Sequence, residues 1–394
     1  MTSFDFATKH RAGSSPSRGS IQRPVVVVSA ILVAGLLAVA TLHAASWRAP
    51  VLAVIGVALG FVLFKSTFGF AGSFRAVLER GDASGFRAQA VALAVCSLVF
   101  FPLLAQGSLF GLELSGFGSG IGVSFVAGAI LFGIGMQIGG GCASGTLFAL
   151  GGGNVRLLAT LAFFIGGSAL GAAHLDFWRS MPAFDSGTSQ QWLGWPLALA
   201  VHLAICVLVI RFAPSPGAPP RLDAPPATHW MTQPWSLLQG ALALAALNAL
   251  TLIVAGRPWG ETSGFTLWGS KLALLAGLDP RQWPYWRDYP DPLFSSIFAD
   301  ITSLMDFGII LGAALAAGLG GSFAMRGHKG PGPWAGAALG GLLMGYGARL
   351  SDGCNIGAYF SALASGSLSA WVWVAAAFIG SALGLLLRPL FGAA

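Results

Sequence analysis

GGGCASG, residues 139–145, places Cys142 in a glycine-dense break between two apolar runs. DGCNIG, residues 352–357, repeats the arrangement around Cys354. What such a break means depends on the chain around it. Of the 394 residues 55% are hydrophobic and 9% charged, against about 25% charged in a soluble globular chain. These charges are too sparse to cover a water-facing surface. Runs such as PVVVVSAILVAGLLAVATLHAA (24–45) are long enough to span roughly 30 Å of hydrocarbon. The chain therefore reads as an all-α polytopic membrane protein. Its net charge of +7 is no nucleic-acid signal, because the basic residues sit in short loops between apolar runs, where they set membrane orientation.

About ten spanning helices are expected: near 24–45, 50–66, 88–106, 121–138, 155–173, 191–212, 236–256, 300–320, 333–349 and 370–390. Four segments are too short or too glycine-broken to span: 68–79, 142–150, 262–277 and 354–365. The N-terminal tail, residues 1–22, is basic and Ser-rich and reads as disordered. The apolar run after it exceeds the 7–15 residues of a signal-peptide core, so 23–49 reads as an uncleaved first helix. A first repeat at 50–190, a connecting helix at 191–212, a Pro-rich linker at 213–235 and a second repeat at 236–394 complete the division.

The repeat shows in an ordered series of matches. With Cys142 laid on Cys354, Gly128, Gly133, Gly135, Gly141 and Gly145 fall on Gly340, Gly345, Gly347, Gly353 and Gly357. FIGGSALG (164–171) meets FIGSALG (378–384), and STFGFAGSF (66–74) is laid on SGFTLWGSK (263–271). Each repeat then holds four spanning helices plus two short re-entrant helices. One connecting span starts the second repeat from the opposite side, so the repeats are inverted. With both termini cytoplasmic, Lys65, Arg75, Arg80, Arg87, Arg156, Arg211, Arg326 and Arg388 fall inside, and the outside loop 107–120 has no basic residue. The loop 257–299 is the exception: its four basic residues are offset by Glu261, Asp279, Asp288 and Asp291.

In this topology the two cysteine breaks enter the membrane from opposite sides and meet near its midplane, as broken helices of inverted repeats do. A helix starting at each break aims free N–H groups at the passage, which favours an anion. Gly141, Gly145, Gly353 and Gly357 allow close backbone approach, and Ser144 and Asn355 add polar contacts. A thiol adds a polarisable sulfur and a weak donor. An anion with a terminal sulfur suits both features. The competing view is packing, with cysteine as a small filler between close helices. Cys96 and Cys206 lie in plain apolar runs and read that way. Sulfur transfer through a cysteine persulfide is the enzyme rival, and it needs an activated thiolate. No metal site is expected, since the six histidines lie away from both motifs and no CxxC occurs. No cofactor or catalytic residue is expected either. Lys271, Asp300, Asp306, Asp352 and Arg349 are ionisable candidates at membrane depth, the last two as a pair.

At GIGMQIGGGCASGTL, GRPWGETSGFTLWGSK, TSLMDFGIILGA and GYGARLSDGCNIGAYFSALASGSLSAWVW the chain resembles the YeeE/YedE family of sulfur transport membrane proteins. The resemblance runs from about residue 50 onward. It implies an hourglass-shaped protein of the bacterial inner membrane that takes up thiosulfate. Cysteines at its constriction contact the ion in turn, and Cys142 and Cys354 match two of those positions. It also implies, for some relatives, a small cytoplasmic TusA-like sulfur carrier as partner. The family's first short segment commonly carries a cysteine where this chain has Gly69. That departure keeps a different sulfur- or selenium-containing anion open as substrate.

Overall fold

The computed structural model describes residues 21–43, 46–215, 230–327 and 330–392. Nearly all of the expected disordered tail and most of the Pro-rich linker lie outside the described residues. The elements run α1 Arg23–His43, α2 Arg48–Ser66, α3 Phe70–Arg80, α4 Ser84–Gln106, α5 Val123–Gly139, α6 Ala143–Gly151, α7 Arg156–Ala173, α8 Leu175–Arg179, α9 Ser189–Leu193, α10 Trp195–Phe212, α11 Leu237–Ala255, α12 Thr262–Leu275, α13 Ile301–Leu319 and α14 Gly332–Leu350. A wide π-type segment Asn355–Ser361 then runs into α15 Ala362–Ala364, and α16 Ser369–Leu387 closes the fold. The only sheet among the described residues is two pairs of two-residue strands in the loops.

All ten expected spans form helices, and all four short segments are helical where the breaks were read. Nine helical stretches among the described residues are long and apolar enough to cross a membrane. The expected span at 333–349 is not among these nine. It forms the 19-residue α14, about 28 Å long, but its glycines and Arg349 dilute its apolar character. It does not need that character, because α5 and α7 cover it on two sides.

Packing follows from glycine. Gly56 and Gly60 of α2 bring its backbone against Met305 and Ile309 of α13, and Gly308 and Gly312 of α13 return the contact to α2. A Cβ on Gly60 would fall onto the Ile309 carbonyl. α5 meets α14 in the same way at Gly128, Gly135, Gly340 and Gly347. In hydrocarbon, where apolar side chains gain nothing by leaving lipid, such close backbone approach is what holds helices together. The pairings are reciprocal along the chain: α2 on α13 and α4 on α11, α7 on α14 and α5 on α16, α6 on α13 and α15 on α4. α1 lies outside this core, against α13 and α2, with most of its surface exposed.

The loops fall into two sets. Gln22 bonds Phe323, the Trp235 N–H bonds the Lys65 carbonyl, Asn154 bridges Arg326, and Arg388 pairs with Glu79 at 3.3 Å. At the other end Ile121 pairs with Phe184, Thr188 bridges Ser367, and Ser115 bonds Gly256. The described start of α1 and the end of α16 belong to the same set.

One part of the repeat alignment does not hold. Laying 66–74 on 263–271 sets Ser66, the last residue of α2, against Ser263, inside α12. The structure instead puts Gly69 and Glu261 in the same role, each the residue that precedes a short helix.

Leucine at Gly60 should wedge α2 from α13 and cost about 1–3 kcal/mol, read as a lower melting temperature in detergent. Gly166, with nothing within 4 Å of its Cβ position, is the comparison and should melt as the parent does. Equal melting of the two variants would refute glycine packing as the cause of this crossing.

Candidate functional site

α5 ends at Gly140, whose φ of +88° turns the chain sharply. Cys142 follows in extended conformation as the N-cap of α6. Its side chain is buried, its Sγ lies 3.4 Å from Ser144 Oγ, and its carbonyl accepts from Thr146. The backbone amides of Gly145 and of Ala71 also face the sulfur. Ala71 belongs to α3, so two helix N-termini address one thiol.

Cys354 has the matching place. It is buried, it caps the π-type segment in extended conformation, and its Sγ accepts from the Ile356 N–H at 3.4 Å. The Gly357 amide faces the same sulfur. Across from it stands Glu261, 1% exposed, with Oε2 3.9 Å from Cys354 Sγ. The Ser144 amide, from the other cysteine motif, faces the same carboxylate. Glu261 thus joins the two breaks, and all four short-helix N-termini converge: Gly69, Cys142, Glu261 and Cys354 are their N-caps.

Side-chain hydrogen bonds hold this arrangement. The loop 256–261 is pinned at Trp259, whose N–H donates to Asn248 Oδ1 at 2.8 Å and whose carbonyl accepts from Ser361 Oγ at 2.7 Å. Asn248 Nδ2 completes the triangle on Ser361. Behind Cys354, Tyr359 donates to Gln89, Gln89 donates to Ser73, and Ser73 donates to the Gly69 carbonyl. This chain ties the second cysteine's segment to the cap of α3.

Beyond Cys354 a polar cavity of about 100 Å³ is lined by Ser119, Asp352 and Gly357, among others. Phe117 leans over it from the 107–122 loop, against Gly260 and Gly357. A larger groove of about 630 Å³, near the start of α5, is apolar and shares no residue with the motifs.

The ionisable candidates separate. Asp300 caps α13 through the Ser303 amide and hydroxyl, a structural role. Lys271 is not brought to the cysteines, because its ammonium donates to the Leu293 and Ser295 carbonyls. Arg349 makes no ion pair with Asp352. It donates to Thr262 Oγ1 at 2.9 Å and lies over the Tyr285 ring. Asp306 is fully buried, and neither carboxylate oxygen accepts a hydrogen bond. Asn355 is buried with no partner for either amide atom. Cys96 donates to the Ala245 carbonyl and Cys206 is buried on α10, as small apolar fillers would be. Among the described residues no group of three or more metal-ligating side chains occurs.

Fold and site together define a polytopic helical membrane protein whose broken helices meet at a buried polar centre. The chain belongs to the sulphur transport family, whose sequence profile matches residues 65–383. It is 28% identical over 335 residues to the thiosulfate transporter TsuA of Spirochaeta thermophila, covering 81% of this chain and 92% of that protein. Over 164 residues it is 30% identical to the probable transporter YedE of Escherichia coli, 41% of this chain and 40% of that one. The thiosulfate transporter TsuA of Escherichia coli is 24% identical across 77% of the chain.

Asn248→Ala should leave the buried Trp259 N–H without an acceptor, a loss of about 1–3 kcal/mol. The melting temperature should fall, and Cys354 should react faster with a small maleimide as the 256–261 loop loosens. Unchanged melting and labelling would show that this loop is held by something else.

Proposed function

We propose that this protein imports thiosulfate, or a closely related sulfur-containing anion, across the bacterial inner membrane through a central passage lined by Cys142 and Cys354. The observation that carries this reading is the convergence of four helix N-termini on two buried thiols. Backbone amides favour an anion. Gly145, Ser144, Ile356 and Gly357 supply those amides, and Gly141 and Gly353 let the backbone come close. The sulfurs distinguish a thiosulfate-type ion from sulfate, because a thiol contacts a terminal sulfur on softer terms than a hydroxyl does. Each contact is weak, which suits release as much as capture. The TsuA relatives are named for thiosulfate, which supports the same substrate here.

Two inverted repeats frame the passage in this reading. The reciprocal helix pairings and the two loop sets support it, and the distribution of basic residues favours a cytoplasmic side for the set at the start of α1 and the end of α16. A TusA-like carrier would then meet the imported sulfur on that side. A persulfide enzyme is less well supported. It needs a thiolate, and the charged neighbour that acts on both thiols is a carboxylate, Glu261.

In proteoliposomes, labelled thiosulfate should enter without being consumed, and sulfate should compete poorly. Cys142→Ser and Cys354→Ser should each lower uptake about tenfold or more, the loss of roughly one charge-assisted contact. Cys206→Ser should alter melting only. Parent-level uptake in both motif variants would sink the thiol reading. The Gly69 departure carries its own test: a Cβ there meets nothing nearer than 3.9 Å. Gly69→Cys should therefore fold with parent stability and raise thiosulfate uptake, and a fall in uptake would count against a relay of thiols along this path.

A further inference from the structure

The carboxylate pair at the centre is unexplained by anion passage alone. Glu261 and Asp306 are both buried, and the charge of Glu261 bears on Asp306. A like charge is the last thing an anion path should hold. Burying an ionised carboxylate without a cation is costly, and such a group tends to take up a proton and become neutral. No lysine or arginine among the described residues forms a salt bridge with either.

The charged groups on every neighbouring element are accounted for elsewhere. From its own loop, Arg257 donates to Thr302 Oγ1 at 3.0 Å. On α12, Lys271 is held by loop carbonyls. On α14, Arg349 stops one residue short, at Thr262. At the cap of α13, Asp300 accepts from the Ser303 amide, and its charge also bears on Asp306. Asp352 lines the outer cavity. Among the described residues, Cys354 Sγ and the Ser144 amide face Glu261, and the charge of Glu261 reaches Cys142 and Asp306.

The donors that Glu261 meets are those that the anion itself would need: a thiol from one break and a helix N-terminal amide from the other. Its Oε1 accepts nothing. Asn355, beside Cys354, keeps an unpartnered buried amide. The centre therefore holds a resident carboxylate in the seat of a travelling anion, with donor capacity to spare.

Resting on the proposed function, we infer that Glu261 is the proton-coupling residue of the passage, with Asp306 as its buried partner. An arriving dianion and the Glu261 carboxylate cannot both claim the Cys354 thiol and the Ser144 amide. Glu261 takes a proton from the side the anion came from and yields those donors. The anion passes, and Glu261 releases the proton on the far side and returns to its donors. One proton moves inward with each anion, no covalent bond changes, and no redox partner is needed.

The experiment uses full-length protein in liposomes, with the membrane potential clamped to zero by potassium and valinomycin. Labelled thiosulfate should accumulate several-fold when the outside is one pH unit more acidic, and external thiosulfate should drive proton entry read by an internal pH dye. Glu261→Gln keeps the shape and removes the titrating proton. It should still exchange labelled for unlabelled thiosulfate but lose accumulation and the dye signal. Asp306→Asn should weaken the pH response without abolishing exchange. Parent uptake indifferent to the pH gradient, or a Glu261→Gln variant coupled as the parent is, would overturn the inference and leave thiosulfate import standing. No thiosulfate movement in the parent under any gradient would overturn the import reading and this one with it.

Discussion

A backbone N–H without a partner costs several kcal/mol in hydrocarbon, and no water is there to relieve it. Four short helices in this chain begin inside the protein, each with its first amides unused by the helix itself. The fold answers by bringing those beginnings to one place. Ala71 and Gly145 face Cys142, Ile356 and Gly357 face Cys354, and Ser144 faces Glu261. Side chains that would be awkward alone become partners for amides that would be costly alone. The centre is polar because the breaks are there, and the breaks are tolerated because the centre is polar.

The long helices make that centre interior to protein. Gly56, Gly60, Gly308 and Gly312 close α2 onto α13, and equivalent contacts close α5 onto α14. With walls this tight, side-chain networks set the finer positions. Asn248 and Ser361 hold the Glu261 loop, and Tyr359, Gln89 and Ser73 connect the Cys354 segment to α3. Functional placement here rests on second-rank polar residues that touch neither thiol.

Much of this was legible in the residues, for physical reasons. Apolar runs of spanning length and Gly-rich interruptions are strong local signals, so the ten helices and four short segments are legible in the sequence. The paired cysteines stood out because their surroundings repeated. α14 was read as an ordinary span, although its glycines make it a packing helix sheltered by neighbours. Glu261 was read as an offsetting loop charge. It sits one residue ahead of α12, and a boundary drawn one residue earlier would have marked it as an ionisable group at depth. Lys271 stands among the ionisable candidates because it closes a short segment, but only tertiary structure brings the Leu293 carbonyl to it. The Arg349–Asp352 pairing failed for the same reason: proximity in sequence says little when Thr262 is nearer in space.

The reciprocal packing has a further consequence. α5, from before the linker, lies against α14 and α16 from after it, and α14 lies against both α5 and α7. The parts on either side of the linker are interleaved through backbone contacts and are not two blocks meeting at a surface. Rocking one against the other would pull apart many of those contacts together. Motion near the centre is left to side chains and short loops such as the one carrying Phe117. Their clock runs from nanoseconds to microseconds, ahead of the microsecond-to-millisecond pace of domain motion.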